Sequence, residues 1–444
     1  MSKNDISRRD LFKGSALAMM GLGASGSALA DVFNTENLEP VATPTPPEKL
    51  KFGIIGCGGK GWSGMTLAAE QGEITAIVDV DAKNRGKASA EFPRASTFND
   101  YRDMLEAMKG DINAVVISIP DNQHAIASAM AMKMGLHTYC EKPLTRTIWE
   151  ARQMATIARK MKVATQMGNQ STASTPMRKI AAAIRSGHFG AVKEVHVWTN
   201  RPIWPQGIER AAPKPTPKEL DFEMWLGPAP DRPYADHYHS FEWRGWWDFG
   251  TGALGDMGCH IMNMVHMALD LRDPLSVQAK TSGHNRDSFP NWSIVDYDFG
   301  ARGSRGPLHL RWYDGGKKPD AALIPGFEVG GNGVIVVCEK ATLFGEDESN
   351  TNFHVIGGGT IPDMPVDESP GHMAEFARAA KGGKPAASNF PNYAGPLTET
   401  VLLGNLAIWA DGPKLDWDAK NLKVKGSTEF DKLIVPAYQH GFHL

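Results

Sequence analysis

The sequence predicts an α/β protein whose first half is a doubly wound parallel sheet. Three observations carry that expectation. A glycine cluster, Gly56-Cys57-Gly58-Gly59-Lys60-Gly61, sits between a short apolar run (51–56) and a helical stretch reaching about residue 71. Apolar runs at 74–79 and 112–120, and a further strand at 137–140, alternate with helical stretches, as strands of a parallel sheet covered on both faces should. With 444 residues, 42% hydrophobic and 22% charged, the chain can bury a large core and is long enough for two or three domains.

Composition also excludes whole classes of function. A formal charge of −3, from 47 basic and 50 acidic side chains, gives no field for nucleic acid. Four cysteines do not make a disulfide scaffold. Beyond the first thirty residues no apolar run approaches the ~18 residues of a membrane span.

The elements follow in order. Residues 7–13, Ser-Arg-Arg-Asp-Leu-Phe-Lys, precede a modestly apolar run (14–30) that ends in Ala28-Leu29-Ala30. That pattern predicts a twin-arginine export signal, residues 1–30, cleaved after Ala30, and so a periplasmic or otherwise exported protein. Residues 31–49, with Pro40, Pro44, Pro46 and Pro47, read as a stiff extended arm. The glycine cluster then lets the chain turn tightly against a pyrophosphate placed at a helix N-terminus. Asp79 closes the 74–79 strand, where a carboxylate accepts hydrogen bonds from a ribose diol and repels a 2′-phosphate, favouring NAD over NADP. Asp121-Asn122-Gln123-His124 lies at the carboxyl end of the 112–120 strand, where such sheets bind ligands. The methionines of helix 124–134 read as core. A further short strand is expected at Lys162–Thr165, followed by Gln166–Gln170.

At Glu141-Lys142-Pro143 the chain resembles the Gfo/Idh/MocA oxidoreductases, the family of glucose–fructose oxidoreductase and inositol dehydrogenase. Gly255-Asp256-Met257-Gly258-Cys259-His260, continuing to Asn263, is similar to a second signature of that family. The resemblance spans about 50–415. It implies an NAD-binding Rossmann domain (50–168), then an α+β domain (169–395) with a large, open, mostly antiparallel sheet, and a carboxyl-terminal helix and tail (396–444). Runs 192–198, 275–281, 294–299, 308–312 and 334–338 suit the strands of that sheet, and 396–410 an amphipathic helix. It also implies a homo-oligomer, dimer or tetramer, packed through the sheet. The cofactor positions it implies are Gly56, Gly58, Gly59, Gly61, Asp79, Pro120, Asn122, His124, Glu141, Lys142 and Asn169.

Asp256 and His260, four apart, share one face of a helix expected to start near Gly252, and Asn263 continues the polar stripe. By resemblance these positions and Lys142 surround a carbohydrate or polyol hydroxyl beside the nicotinamide. Histidine accepts a proton near neutral pH, lysine stabilises a developing alkoxide, and Asp256 holds a neighbouring hydroxyl. Which of His260 and Lys142 is the formal base stays open. Asn169, Asn263, Arg244, Trp246 and Trp247 are the substrate candidates; the tryptophan-rich tract 225–247 reads equally as a sugar platform or as a loop buried by its own aromatics. No metal site is expected, since His237 and His239 lack partners at ligand spacing. The function expected is an exported oxidoreductase carrying NAD tightly bound, moving a hydride between a carbohydrate hydroxyl and the nicotinamide. The alternative is a redox-neutral glycoside hydrolase that oxidises, eliminates, hydrates and re-reduces.

Overall fold

The computed structural model describes residues 45–440. The expected signal and most of the arm lie outside the described residues.

Strands β1 (Leu50–Ile55), β2 (Gly72–Val78), β3 (Ser96–Phe98), β4 (Ala114–Ile117), β5 (His137–Cys140) and β6 (Thr165–Met167) form a six-stranded sheet in the order β3-β2-β1-β4-β5-β6. Every pairing is parallel. The connecting helices are α1 (Lys60–Ala69), α2 (Ala82–Glu91), α3 (Tyr101–Ala107), α4 (Asp121–Lys133) and α5 (Ile148–Met161). Local chemistry sets their starts: Asp81, Asp100 and Thr147 accept the free N–H groups of α2, α3 and α5. Helix α1 differs, for Gly59 at its head offers no side chain, and the N–H groups of Gly61 and Trp62 turn back onto the Gly58 (2.8 Å) and Gly59 (3.2 Å) carbonyls. The strand order reverses between β1 and β4, the crevice where ligands of such sheets lie.

Helix α6 (Thr175–Arg185) leads into a nine-stranded sheet, ordered β13-β12-β11-β7-β10-β9-β8-β14-β15. Its strands are β7 (Val192–Trp198), β8 (Ser276–Thr281), β9 (Ser293–Phe299), β10 (Leu308–Tyr313), β11 (Gly333–Cys338), β12 (Thr342–Gly345), β13 (Phe353–Ile356), β14 (Leu415–Asp418) and β15 (Lys423–Val424). All neighbours are antiparallel except β7 and β10. Strand β9 alternates buried and part-exposed residues along its whole length. On the outer side His309 bridges Asp296 and Asp298, and Arg311 joins Asp296. Between β7 and β8 run α7 (Phe222–Leu226), α8 (Gly252–Ile261) and α9 (Asn263–Leu269); α10 (His372–Ala380), α11 (Gly395–Ala410) and α12 (Asp431–Ile434) follow β13. One core cluster runs from Ile55 and Val115 to Val295 and Leu406, so the two sheets share their interior.

Four expectations need correcting. The strand expected at Lys162–Thr165 begins at Thr165, because Lys162 takes the left-handed conformation that ends α5. The helix expected to carry Asn263 as a continuous polar stripe stops at Ile261 and restarts at Asn263. Helix α11 is not amphipathic: it is buried almost all round, wedged among α5, α8 and β8. Met132 is core, but Met134, just past α4, is partly exposed.

Candidate active site

The glycine turn is fixed by close backbone approach. A side chain at Gly56 (φ +84°) would meet the Ser118 carbonyl oxygen at 2.2 Å, and one at Gly61 would meet that of Gly56 at 2.2 Å. Asp79, at the end of β2, holds the turn from the other side. Its Oδ2 accepts from the backbone N–H groups of Cys57 (3.0 Å) and Gly58 (3.2 Å), and its Oδ1 from that of Asp81 (2.9 Å). A side-chain-free turn at the head of α1, where a Cβ at Gly56 or Gly61 would strike backbone, with a carboxylate at the end of β2, fits the close approach of a dinucleotide's pyrophosphate and ribose.

Lys142, in the turn after β5, meets Asp256 of α8 across the two halves. Its ammonium donates to Asp256 Oδ1 at 2.6 Å and to the Asp256 carbonyl at 2.9 Å. Arg244, from the turn at Glu242–Gly245, approaches the same carboxylate oxygen at 3.3 Å while its guanidinium lies 4.3 Å from the Trp243 ring centre. Burial alone would raise the Asp256 carboxyl, but Lys142 and Arg244 outweigh it and hold the group at about 2. His260, one turn along α8, is half-buried, and no hydrogen bond reaches its ring among the described residues. Burial first, then the Lys142 charge, pushes its imidazole down to about 3, so the ring stays neutral throughout the neutral range.

Glu141 lies beneath the same cleft. Its Oε1 accepts weakly from Tyr139 (3.4 Å) and Gln170 (3.3 Å), Lys60 stands 3.9 Å away, and Oε2 has no partner among the described residues. Burial raises its carboxyl despite the Lys60 charge. A side chain at Gly168 would strike Oε2 at 2.4 Å.

Other expected site residues are turned to structural tasks. Both ring nitrogens of His124 face backbone oxygens, of Pro143 (2.7 Å) and Ile119 (2.8 Å), so it ties the Pro120 loop to the Lys142 turn and has no free polar atom for a cofactor. The Asn122 amide donates to the Leu226 carbonyl at 3.0 Å, anchoring α4 to α7; Pro120 precedes the first residue of α4. Asn169 and Asn263 bond each other at 3.3 Å in a sealed network with Thr172, Ser388 and Tyr393. Trp246 is fully buried, with its N–H on the His237 carbonyl (2.6 Å), within a cluster of Trp225, Tyr238, Trp243 and Phe249. Trp247 stacks on Phe289 at 3.5 Å and lines a cavity of about 50 Å³ with Arg146 and Trp409. The tract is therefore a satellite core, and of its candidates Arg244 alone joins the Lys142–Asp256 pair. His237 pairs with Glu242, and all four cysteines are buried and free.

Two residues beside the site, Lys60 and His372, carried no sequence signal of a role. Lys60 hides as a variable position in the glycine motif, and its charge reaches His260. His372, at the start of α10, stacks edge-on against Tyr139 and donates from Nε2 to the Met167 carbonyl (2.9 Å). Asp121 accepts from the Thr251 hydroxyl at 2.6 Å, joining the head of α4 to the head of α8. Burial pushes the Asp121 carboxyl up to about 7.

A glycine turn at a parallel sheet's switch point, a carboxylate at the end of β2 and a cation–carboxylate–imidazole group fit an NAD-binding oxidoreductase. The comparisons agree: residues 50–169 match the description "Oxidoreductase family, NAD-binding Rossmann fold", and residues 173–326 "Oxidoreductase family, C-terminal alpha/beta domain". The chain belongs to the Gfo/Idh/MocA oxidoreductase family. It is 31% identical over 144 residues to the rhizopine catabolism protein MocA of Rhizobium meliloti, covering 32% of this chain and 44% of that one. It is 26% identical over 205 residues to a glycosyl hydrolase family 109 protein of Shewanella baltica, covering 42% and 44%. In both, the match spans under half the relative's length. The fold resembles the WlbA dehydrogenase of Bordetella pertussis, solved with NADH and UDP-GlcNAcA, at a TM-score of 0.60 and 16% identity, covering 84% of this chain and 99% of that one.

Proposed function

We propose that this chain is an exported enzyme that carries NAD tightly bound and moves a hydride between a carbohydrate or polyol hydroxyl and the nicotinamide. The observation that carries the reading is the Lys142 ammonium, in the turn after β5, bonded to Asp256, with His260 one turn along the same helix as that carboxylate. The bound cofactor supplies a hydride acceptor and donor; the rest is done by the chain. Lys142, held by Asp256, directs a remaining N–H at the substrate oxygen and stabilises its developing negative charge. Asp256 occupies the lysine, which leaves the neutral His260 ring as the proton acceptor. Arg244 supplies further donors to neighbouring hydroxyls. NAD is the preferred form because Asp79 would repel a 2′-phosphate.

Export supports a captive cofactor: soluble NAD is not maintained outside the cytoplasm, so an enzyme that released NADH would stop after one turnover. A second copy packed on the outer face of the nine-stranded sheet would complete a dimer or tetramer. The relationship to a family 109 glycosyl hydrolase favours one alternative, a redox-neutral hydrolysis served by the same Lys142 and His260. Incubating the purified chain with aryl glycosides separates the two. Turnover only after a ketose or aldehyde is added supports the oxidoreductase; aglycone released over many turnovers without an acceptor overturns it in favour of the hydrolase. Denatured protein that yields no dinucleotide, with no binding of added NAD, would remove both readings.

A further inference from the structure

The strand end that carries the ribose acid is not an open edge. The turn after β2 pairs with main chain from the second half: Ala82 N–H donates to the Glu219 carbonyl (2.9 Å) and Asp221 N–H to the Val80 carbonyl (3.0 Å). These bonds flank an antiparallel bridge between Asp81 and Leu220. Asn99 fastens the same segment, its amide donating to Asp221 Oδ2 at 2.7 Å. Above the turn stands His239, with Nε2 3.8 Å from Asp81 Oδ2 and its ring edge-on to Trp225. It is mostly covered, and the charges of both Asp81 and Asp79 reach it. An imidazole from the far half thus lies beside Asp81, two residues on from the carboxylate at the end of β2.

We propose that residues 219–221 and His239 form the outer wall of the adenosine end of the dinucleotide site, so that the cofactor leaves only when this pairing opens. The proposal rests on the NAD reading above and supplies a structural reason for retention. A nicotinamide end held at Lys142, beyond β5, would lie on the other side of the switch point from the wall.

Two fragments test it on the full chain stripped of bound nucleotide: ADP-ribose, which has the adenosine half, and nicotinamide mononucleotide, which does not. In His239→Ala and in Asn99→Ala, ADP-ribose should bind about tenfold or more weakly and NAD should dissociate correspondingly faster. Affinity for the mononucleotide should not change. Equal weakening of both fragments, or unchanged ADP-ribose affinity, overturns the proposal. A staple guards against variants that simply misfold. Asp81 and Leu220 form a non-hydrogen-bonded pair, whose Cα atoms lie about 4.5 Å apart, within reach of a disulfide. With Asp81→Cys and Leu220→Cys, oxidation should arrest exchange of bound NAD for labelled NAD, and reduction should restore it. Exchange at the same rate in both states counts against the wall. Wild-type protein that binds neither NAD nor ADP-ribose would instead sink the NAD reading itself.

Discussion

Replacing Lys142 by methionine keeps the length of the side chain and removes its charge from the partner it touches. Asp256 sits at about 2 rather than its ordinary 3.8, which corresponds to roughly 2 kcal/mol of net preference for the ionised form. Burial opposes that preference, and Lys142 is the largest of the opposing influences. In the variant only Arg244, at 3.3 Å, still faces the buried carboxylate. The expected loss of stability near neutral pH is about 2 kcal/mol, below the ~3–5 kcal/mol of a fully orphaned buried charge because the arginine remains. Wild-type Asp256 has a depressed folded value, so its stabilisation is complete above about 3.8 and disappears as pH falls towards 2. In the variant burial raises the carboxyl, which then protonates in mild acid and sheds its penalty. The difference in melting temperature should therefore be several degrees at pH 8 and should shrink as pH drops below about 5. Hydride transfer, followed by nicotinamide absorbance, should slow about 10²–10³-fold. Turnover within tenfold of wild type, or a melting difference that grows in acid, would refute the reasoning.

Three further outcomes follow from the same geometry. His260→Asn should reduce kcat by about 10²-fold or more while leaving NAD affinity intact; because the imidazole sits at about 3, the wild-type rate profile should show no acid limb from it between pH 6 and 7. Asp79→Asn should weaken NAD binding about tenfold, since half the acceptor strength toward a ribose diol is lost, and should narrow the gap between NAD and NADP in a direct titration. Trp246→Ala should cost about 3–5 kcal/mol in a denaturant melt by opening a cavity in the aromatic cluster; a selective rise in KM at unchanged stability would return it to the substrate-binding role.

Much of the amino-terminal half could be read directly from residue order. Gly56 and Gly61 announce a turn because no other residue tolerates the approach of Ser118 and Gly56 carbonyls. The runs at β1, β2 and β4 are largely apolar because a parallel sheet is covered on both faces. These are local properties, carried by neighbours a few residues apart. Helix α11 misled for the complementary reason: its pattern is set by α5 on one side and β8 on the other, and a helix covered all round keeps no polar stripe.

The site divides along the same line. Lys142, Asp256 and His260 stand out by motif, and a motif states which groups are present. What each one does was decided by contacts between distant segments: Lys142 on Asp256 across 114 residues, Asp121 on Thr251 across 130, and the wall of residues 219–221 against the turn after β2. Trp246 and Arg244 are two positions apart in a single tract, yet one is sealed in a core and the other reaches the carboxylate. Sequence specifies side-chain chemistry and local backbone preference. Burial, partner and protonation state depend on which surfaces the folded chain brings together, and only the tertiary structure sets them.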